Sequence, residues 1–412
     1  MNIMHIVQGF PPKAYGGTEM VAYNLALYQV KRHNVSVFTR IEDFSKENDM
    51  IEEYNIGNIH VKGMINNFPQ KNILKNQRLI NRAAEKYLEQ FINEKKPDIV
   101  IVEHTIGLSV NLLSIIHSKN IPILYIITDW WLICPRIQLF NKNNQLCTGP
   151  GILKCGSCFS HPFSWKRNRL TLLAFFIFRN ILIKNRLKPV KRFVVGSEYI
   201  KQSYLKTGII PAEKIDVIPF GIDTSFVESF KRNPHNSLRF GYIGTILPHK
   251  GLHILIPAFN RFKSKDVTLS LYGNDRVSPE YTNYLKSLAK HPNIKFMGPF
   301  KEGYLSEVLS NIDVLVLPSI GHESFGLVIR EAHAVGIPVI IPKFGALLEA
   351  IEDGKGGLFF NIGDVDDLFS KMKSLVVEPK LLDKISSSIP RVKSFKEYGE
   401  EIDKVIETII RE

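Results

Sequence analysis

Cysteine is scarce in this 412-residue chain: four occur, all between positions 134 and 158, so any thiol chemistry is confined to one stretch. Long apolar runs are missing as well. The longest nearly apolar segment, 170–178, falls well short of the about 20 residues needed to span a bilayer. The chain opens Met1-Asn2-Ile3-Met4-His5-Ile6-Val7 without a basic leader or a cleavage site. It reads as a first buried strand, and a cytoplasmic location is expected. Low-complexity and short-period repeats are absent. So are G-x-G-x-x-G and Walker spacings, which weakens a dinucleotide reading and a P-loop reading. Between 159 and 192 there is no Asp or Glu at all.

What is present is ordinary globular composition, 44% hydrophobic and 23% charged, with 53 Lys and Arg against 40 Asp and Glu. The net charge of +13 favours anionic partners, whether nucleotides, phosphates, nucleic acid or acidic headgroups, without choosing among them. The length exceeds one ordinary core and suggests two domains of roughly 200 residues.

Short β-rich runs alternate with helical spacing. Runs at 3–7, 35–39, 98–102, 121–127 and 192–195 read as strands of the first half, with helical patterns such as 21–32 and 74–95 between them. The second half repeats the scheme at 239–243, 267–272, 294–297, 314–317 and 338–341. The pattern predicts an α/β chain of two doubly wound, parallel-sheet, Rossmann-like domains, 1–220 and 221–393, facing across a cleft. The boundary falls in the turn-rich Pro219-Phe220-Gly221-Ile222-Asp223, and 394–412 reads as a last amphipathic helix packing back toward the first domain. In such sheets ligands lie beyond the carboxyl ends of the strands.

Three strand-to-helix junctions carry candidate chemistry. The first contains Gly16-Gly17, where a backbone without Cβ atoms can approach an anion at a helix N-terminus; the same pair also suits a plain turn. The second runs Gly241 to Gly251 and includes Thr245 and Lys250, a cation placed to hold a diphosphate. The third, Leu315 to Ala332, places Glu323 in a loop and Glu331 about two turns into the next helix. Amides around Ser324, Phe325 and Gly326 would face an anion there. Glu331 would accept ribose hydroxyls, at roughly 1.5–3 kcal/mol per charge-assisted bond.

These residues resemble the retaining glycosyltransferases of family 4, which have the GT-B architecture. The resemblance covers nearly the whole chain. It rests on Gly16-Gly17, on Pro219 to Asp223, on Lys250-Gly251 and above all on Glu323 and Glu331 with seven residues between. Gly336-Ile337-Pro338-Val339-Ile340 and the stretch from Glu349 to Gly357 add to it. It implies a UDP- or GDP-sugar donor whose diphosphate meets Lys250, the Gly16-Gly17 loop and the amides near Phe325 and Gly326. Glu331 would hold the ribose and Glu323 would lie by the transferred sugar. Ser197 matches the start of a helix on the acceptor side.

Two positions depart from the family. Thr245 stands where an Arg is frequent, which leaves more phosphate charge to Lys250. Thr128 stands where a His is frequent, and His104 or Asp129 is the substitute expected on the acceptor side, although His104 also suits a buried structural role. Retaining transfer in this fold is thought to need little from a protein base, since the departing diphosphate assists the acceptor hydroxyl. Asp364-Val365-Asp366 matches the letters of a metal-binding Asp-x-Asp but opens a helix, so capping and metal-independent catalysis are expected.

Cys134, Cys147, Cys155 and Cys158, within a loop at 132–160, suggest a structural zinc, with an iron–sulfur cluster or no metal as alternatives. The following segment, 161–192, sets basic residues around an apolar, aromatic centre. That suits an anionic membrane surface and, with it, a lipid-linked or growing polysaccharide acceptor, or else an ordinary core helix. A nucleotide-sugar epimerase is the rival enzyme. A nucleic-acid-binding protein is the rival class, and no recognised nucleic-acid module supports it, so nucleic acid is not expected as a partner.

Overall fold

The computed structural model describes residues 1–67, 79–159, 169–301 and 303–412. The chain divides into two compact units. One comprises Met1–Ile137, Gly149–Gly221 and Phe395–Glu412; the other comprises Gln138–Thr148 and Ile222–Ser394. The grouping of Gln138–Thr148 with the second unit has no counterpart in the sequence reading.

The first unit is built on an eight-stranded sheet. Its strands are β1 (Asn2–Val7), β2 (Asn34–Ile41), β3 (Ile51–Ile56), β4 (Ile59–Ile65), β5 (Ile99–Val102), β6 (Ile123–Ile127), β7 (Arg192–Val195) and β8 (Ile215–Val217). The spatial order is β3-β4-β2-β1-β5-β6-β7-β8, and only the β3–β4 pair is antiparallel. β5 and β6 are buried at every position, which explains their unbroken apolar runs: a parallel strand covered on both faces has no solvent side to alternate toward. The β3–β4 hairpin, absent from the sequence reading, turns on Gly57, whose φ of +53° favours glycine.

The second unit holds six parallel strands: β9 (Leu238–Ile243), β10 (Val267–Tyr272), β11 (Ile294–Gly298), β12 (Val314–Val316), β13 (Val339–Pro342) and β14 (Gly357–Phe360). Their order is β11-β10-β9-β12-β13-β14. Each sheet has one switch point, where successive crossovers leave in opposite directions: between β1 and β5 in the first, between β9 and β12 in the second. Crevices open there at the carboxyl ends of the strands.

The terminal helix Phe395–Arg411 belongs to the first unit. Tyr398, Ile402, Ile406 and Ile409 form its buried stripe, at helical spacing. Gly399 lets it lie on the helix Gly17–Gln29, because a Cβ there would come within 2.4 Å of the Tyr28 ring. The Tyr28 hydroxyl donates to Asp403 at 2.9 Å. Asn81 caps the helix Arg82–Lys95, accepting from the amides of Ala83 and Ala84; positions 74–78 of the expected helix lie outside the described residues. Among the described residues no helix is long and apolar enough to cross a membrane.

At the switch point of the second sheet the amino ends of β9 and β12 are tied by Asp313. Its carboxylate accepts from the Arg239 amide at 2.9 Å, from Arg239 Nε at 3.2 Å and from Arg239 Nη2 at 3.0 Å. Both residues are buried. Asp313→Ala leaves the Arg239 cation without this partner. It should cost about 3–5 kcal/mol, read as an earlier urea transition, and an unchanged transition would show the pair to be dispensable.

Candidate active site

In the second unit the two loops at the switch point are pressed together. Gly251, at φ +73°, packs so tightly that a Cβ would fall 1.9 Å from the carbonyl oxygen of Pro318. The amides of Ile320 and Gly321 both donate to the His249 carbonyl at 2.9 Å. This contact brings Lys250, after β9, to Glu323, after β12: Nζ lies 2.7 Å from Oε1. The same Oε1 accepts from the buried Ser319 hydroxyl at 2.6 Å. Burial alone would raise the Glu323 pKa, but Lys250 and Ser319, with a smaller contribution from His249, hold it below the usual carboxylate range. Burial, then Lys250, push His249 down to about 4, so its ring is neutral.

Thr245 sits in the loop after β9, and its carbonyl accepts from the Tyr242 hydroxyl at 2.8 Å. Gly326, left-handed at φ +77°, caps the helix Leu327–Ala334 and follows Ser324 and Phe325 directly. Arg330, which sequence reasoning did not single out, folds back over this cap. Nη1 donates to the carbonyls of Phe325 and Gly326, and the guanidinium lies 4.1 Å from the centroid of the Phe325 ring. Because the peptide unit is planar and trans, fixing the Phe325 carbonyl also fixes the direction of the Gly326 N–H. Nothing in the letters separates this role from that of an exposed helical arginine. Glu331, one residue on, is pushed up to about 7 by burial, reinforced by the charge of Asp223.

The first unit gathers a different set around its own switch point. Gly16 caps the helix Gly17–Gln29, and a Cβ on Gly16 would meet Glu19 Oε2 at 2.4 Å. Thr18 and Thr128 share a hydroxyl hydrogen bond of 2.6 Å. Past β5, His104 Nδ1 accepts the Ile106 amide at 2.9 Å, so the ring proton sits on Nε2 and is donated to Asp129 Oδ2 at 3.1 Å. Asp129 Oδ1 accepts the Trp131 amide at 2.8 Å, and the Trp131 ring lies 5.1 Å from that of His104. His104, Thr128, Asp129 and Trp131 line one pocket with Tyr204, whose hydroxyl donates to the Asp129 carbonyl at 2.8 Å.

Beneath this pocket is a buried network that the sequence did not disclose. His5 Nδ1 meets Glu103 Oε1 at 2.6 Å and Nε2 meets Gln29 Oε1 at 2.8 Å. Burial alone would lower the His5 pKa, but Glu103 and Gln29 together raise it. Ser197 is committed locally: it caps the helix Glu198–Leu205 and accepts the Ile200 amide at 3.3 Å. Asp364 likewise caps the helix Val365–Val377, accepting from the amides of Asp366 and Asp367.

Among the described residues no group of three or more His, Cys, Asp or Glu side chains is arranged to hold a metal ion. The stretch expected to be one loop contains a hairpin and a helix. Cys134 is buried in a turn, Cys155 and Cys158 share the helix Ile152–Phe159, and Cys147 belongs to the segment grouped with the second unit. The Cys155 sulfur accepts the Gly151 amide at 3.4 Å.

Comparison with known proteins matches residues 15–226 to the model of Glycosyltransferase Family 4 and residues 237–378 to that of Glycosyl transferases group 1. The capsular polysaccharide biosynthesis glycosyltransferase CapM of Staphylococcus aureus is 25% identical over 239 residues, 52% of this chain and 61% of CapM. D-inositol 3-phosphate glycosyltransferase of Corynebacterium kroppenstedtii is 28% identical over 217 residues, 48% of each chain. The chain therefore spans about half to three-fifths of the length of these curated relatives. Among solved structures, sucrose-phosphate synthase from Thermosynechococcus elongatus superposes with a TM-score of 0.70 at 15% identity, covering 100% of this chain and 99% of that one. Anabaena Alr3699/HepE in complex with UDP and glucose gives 0.68 at 18% identity, covering 98% and 99%. The likeness shows the GT-B fold.

The raised pKa of Glu331 has a stability signature. A carboxyl whose pKa is about 7 in the folded chain, against 4.5 when unperturbed, costs stability as pH rises between those values. At 1.36 kcal/mol per unit the full cost is on the order of 3 kcal/mol. Glu331→Gln should therefore melt higher than wild type at pH 8 and with it at pH 5. Equal melting at pH 8 would show that the ionised carboxylate has a partner in the folded chain.

Proposed function

The chain belongs to Glycosyltransferase Family 4, and from that premise we propose that it transfers a sugar from a nucleotide-sugar donor to an acceptor hydroxyl, with retention at the anomeric carbon. The observation that carries this reading is the Lys250–Glu323 pair at the switch point of the second sheet, followed two turns later by Glu331. Lys250 exchanges Glu323 for the donor diphosphate, whose two negative charges are the better partner, and it stabilises the leaving group as charge builds there. Glu323, released toward the sugar, accepts one of its hydroxyls. Glu331 takes the ribose diol, and the Gly326 amide, directed by Arg330, meets a phosphate or sugar oxygen.

On the acceptor side, His104 Nε2 is already donating to Asp129 and Nδ1 is already accepting, so the pair orients a hydroxyl rather than removing its proton. The departing diphosphate oxygen takes that proton as the glycosidic bond forms and the sugar–phosphate bond breaks. Thr128 and Trp131 lie beside this pair. UDP is the first base to test, supported by the solved relative that carries it. Catalysis is proposed to be metal-independent, with Asp364 engaged as a cap.

The acceptor is proposed to be lipid-linked or part of a growing surface polysaccharide, with the chain working at the cytoplasmic face of a membrane. Within the basic segment, the helix Arg169–Leu187 buries Phe176, Arg179, Ile183 and Leu187. It exposes Ile177, Phe178 and Ile181 to 40%, 51% and 56%. The neighbouring helix Ile152–Phe159 exposes Ile152 and Leu153. Lys184 and Lys188 flank the apolar face, and positions 161–168 lie outside the described residues. Exposed apolar side chains beside uncompensated cations fit an anionic headgroup layer.

Two measurements test this. In a thermal-shift panel of UDP-, GDP- and ADP-sugars, one nucleotide class at about a hundred times its dissociation constant should add roughly 2.7 kcal/mol, with or without EDTA. Lys250→Ala should lower turnover by on the order of a hundredfold or more. A folded wild type stabilised by none of the donors, or a Lys250→Ala variant with full turnover, would overturn the donor assignment. In vesicle flotation, wild type should rise with anionic but not with zwitterionic vesicles, and Phe178→Asp with Ile181→Asp should stay at the bottom. Equal recovery with both vesicle types would remove the membrane reading.

A further inference from the structure

The segment Gln138–Thr148 leaves the first unit, groups with the second and returns. It is a small hairpin. The Asn141 amide donates to the Gln145 carbonyl and the Cys147 amide to the Leu139 carbonyl, both at 2.8 Å, and Phe140 bridges Leu146 in antiparallel fashion. The turn is held by Asn141 Oδ1, which accepts from the amides of Asn143 at 2.9 Å and Gln145 at 3.0 Å. Leu139 and Phe140 are buried.

What the hairpin touches is specific. The Phe140 ring meets the ring of His249 edge-on, with centroids 6.0 Å apart and planes at 62°. The Cys147 carbonyl lies 3.2 Å from His322 Nε2. A carbonyl only accepts, so this nitrogen carries the ring proton and donates it. His322 also packs against Phe344, with centroids 5.1 Å apart. These two histidines immediately precede Lys250 and Glu323 in the chain. The hairpin therefore holds each of the two loops at the residue next to the one that makes the ion pair. His249 links them again through its own carbonyl, which binds Ile320 and Gly321.

We propose that the Gln138–Thr148 hairpin is a positioning element of the donor site: through His249 and His322 it sets where Lys250 and Glu323 stand, and so how tightly the unit grips a sugar diphosphate. The inference rests on the donor-site reading above. Its physical basis is that Lys250 is a point charge on a flexible stem, so its backbone must be located by something else. Misplacement of a phosphate-binding group by about 1 Å can lower rates by two orders of magnitude. Two independent contacts, one aromatic and one a hydrogen bond to main chain, restrain the loops from the same side.

The test uses the full chain, UDP-sugar titration calorimetry and steady-state kinetics. Phe140→Ala should weaken donor affinity about tenfold while leaving the KM for acceptor unchanged, and Phe140→Leu, which keeps most of the packing, should recover most of the loss. His322→Leu should act like Phe140→Ala, whereas His322→Gln, whose amide still donates to the Cys147 carbonyl, should restore binding. In histidine NMR, Phe140→Ala should raise the His249 pKa from about 4 toward the ordinary value, because the ring loses its cover while still facing Lys250 and Glu323. Unchanged donor affinity in a folded Phe140→Ala variant would overturn the proposal. If that variant does not fold, the His322→Leu and His322→Gln pair decides, and equal affinities there would overturn it. A folded wild type that binds no nucleotide sugar would bring down the donor reading and this one together; a wild type that binds, with variants that bind equally well, would bring down only this one.

Discussion

The close approach of two backbone segments governs the second unit. Gly251 sits where no side chain fits, against the Pro318 carbonyl, and only that contact lets the loop after β9 lie directly on the loop after β12. The Lys250–Glu323 pair, the Ser319 hydrogen bond and the neutral His249 all follow from it. A glycine is required twice over, for the left-handed φ and for the missing Cβ, so this position tolerates no other residue without moving one loop. Asp313 plays the complementary part at the other end of the same two strands, where it binds Arg239 through three donors.

The first unit uses a different device at its switch point. There, buried polar groups rather than backbone contact set the geometry. His5, Gln29 and Glu103 form a hydrogen-bonded core beneath the loops, and His104, next to Glu103, is turned by the Ile106 amide so that its Nε2 proton points to Asp129. Such networks rigidify a site where their members are paired, as His5 is at both ring nitrogens. They suit the acceptor role proposed for the first unit, just as the glycine-dependent approach in the second unit suits the proposed binding of a diphosphate. The departures of Thr128 and Thr245 from the family pattern are consistent with this division. Thr128 is tied to Thr18, and Thr245 offers its carbonyl to Tyr242, so neither position supplies a charge.

Function and stability pull against each other at Glu331. A half-buried carboxyl beside Asp223 with a pKa of about 7 is held at a cost to the folded state, and such a cost is expected where a residue serves a ligand rather than the core. Arg330 shows the opposite arrangement. It too is half-buried, but its charge is spread over two carbonyls and an aromatic face, and burial lowers its pKa only to about 10, so it stays protonated at neutral pH.

How far the letters reached depended on the range of the interaction involved. The alternation of apolar strands and helices is local, and it disclosed ten of the strands, some as continuous apolar runs buried on both faces, such as β5 and β6, others as period-two alternation, such as β10 and β11. The junction motifs were legible for the same reason: glycine, lysine and glutamate at strand ends keep their meaning in isolation. The strands β8 and β14 were not read, and the β3–β4 hairpin carries a Gly57-Asn58 turn that the α/β rhythm overrode. The four cysteines lie close in the letters, but Cys147 belongs to a hairpin and Cys155 and Cys158 to a helix, each with its own backbone pairing. Sequence by itself determined two doubly wound sheets, since that alternation is encoded in patterns a few residues long. Only the tertiary structure decided that His104 pairs with Asp129, that Arg330 orders the Phe325-Gly326 turn, and that an excursion from the first half of the chain comes to rest on the histidines beside Lys250 and Glu323. Each of those depends on residues distant in the chain or on the direction of a side chain, and neither is written in the local order of the letters.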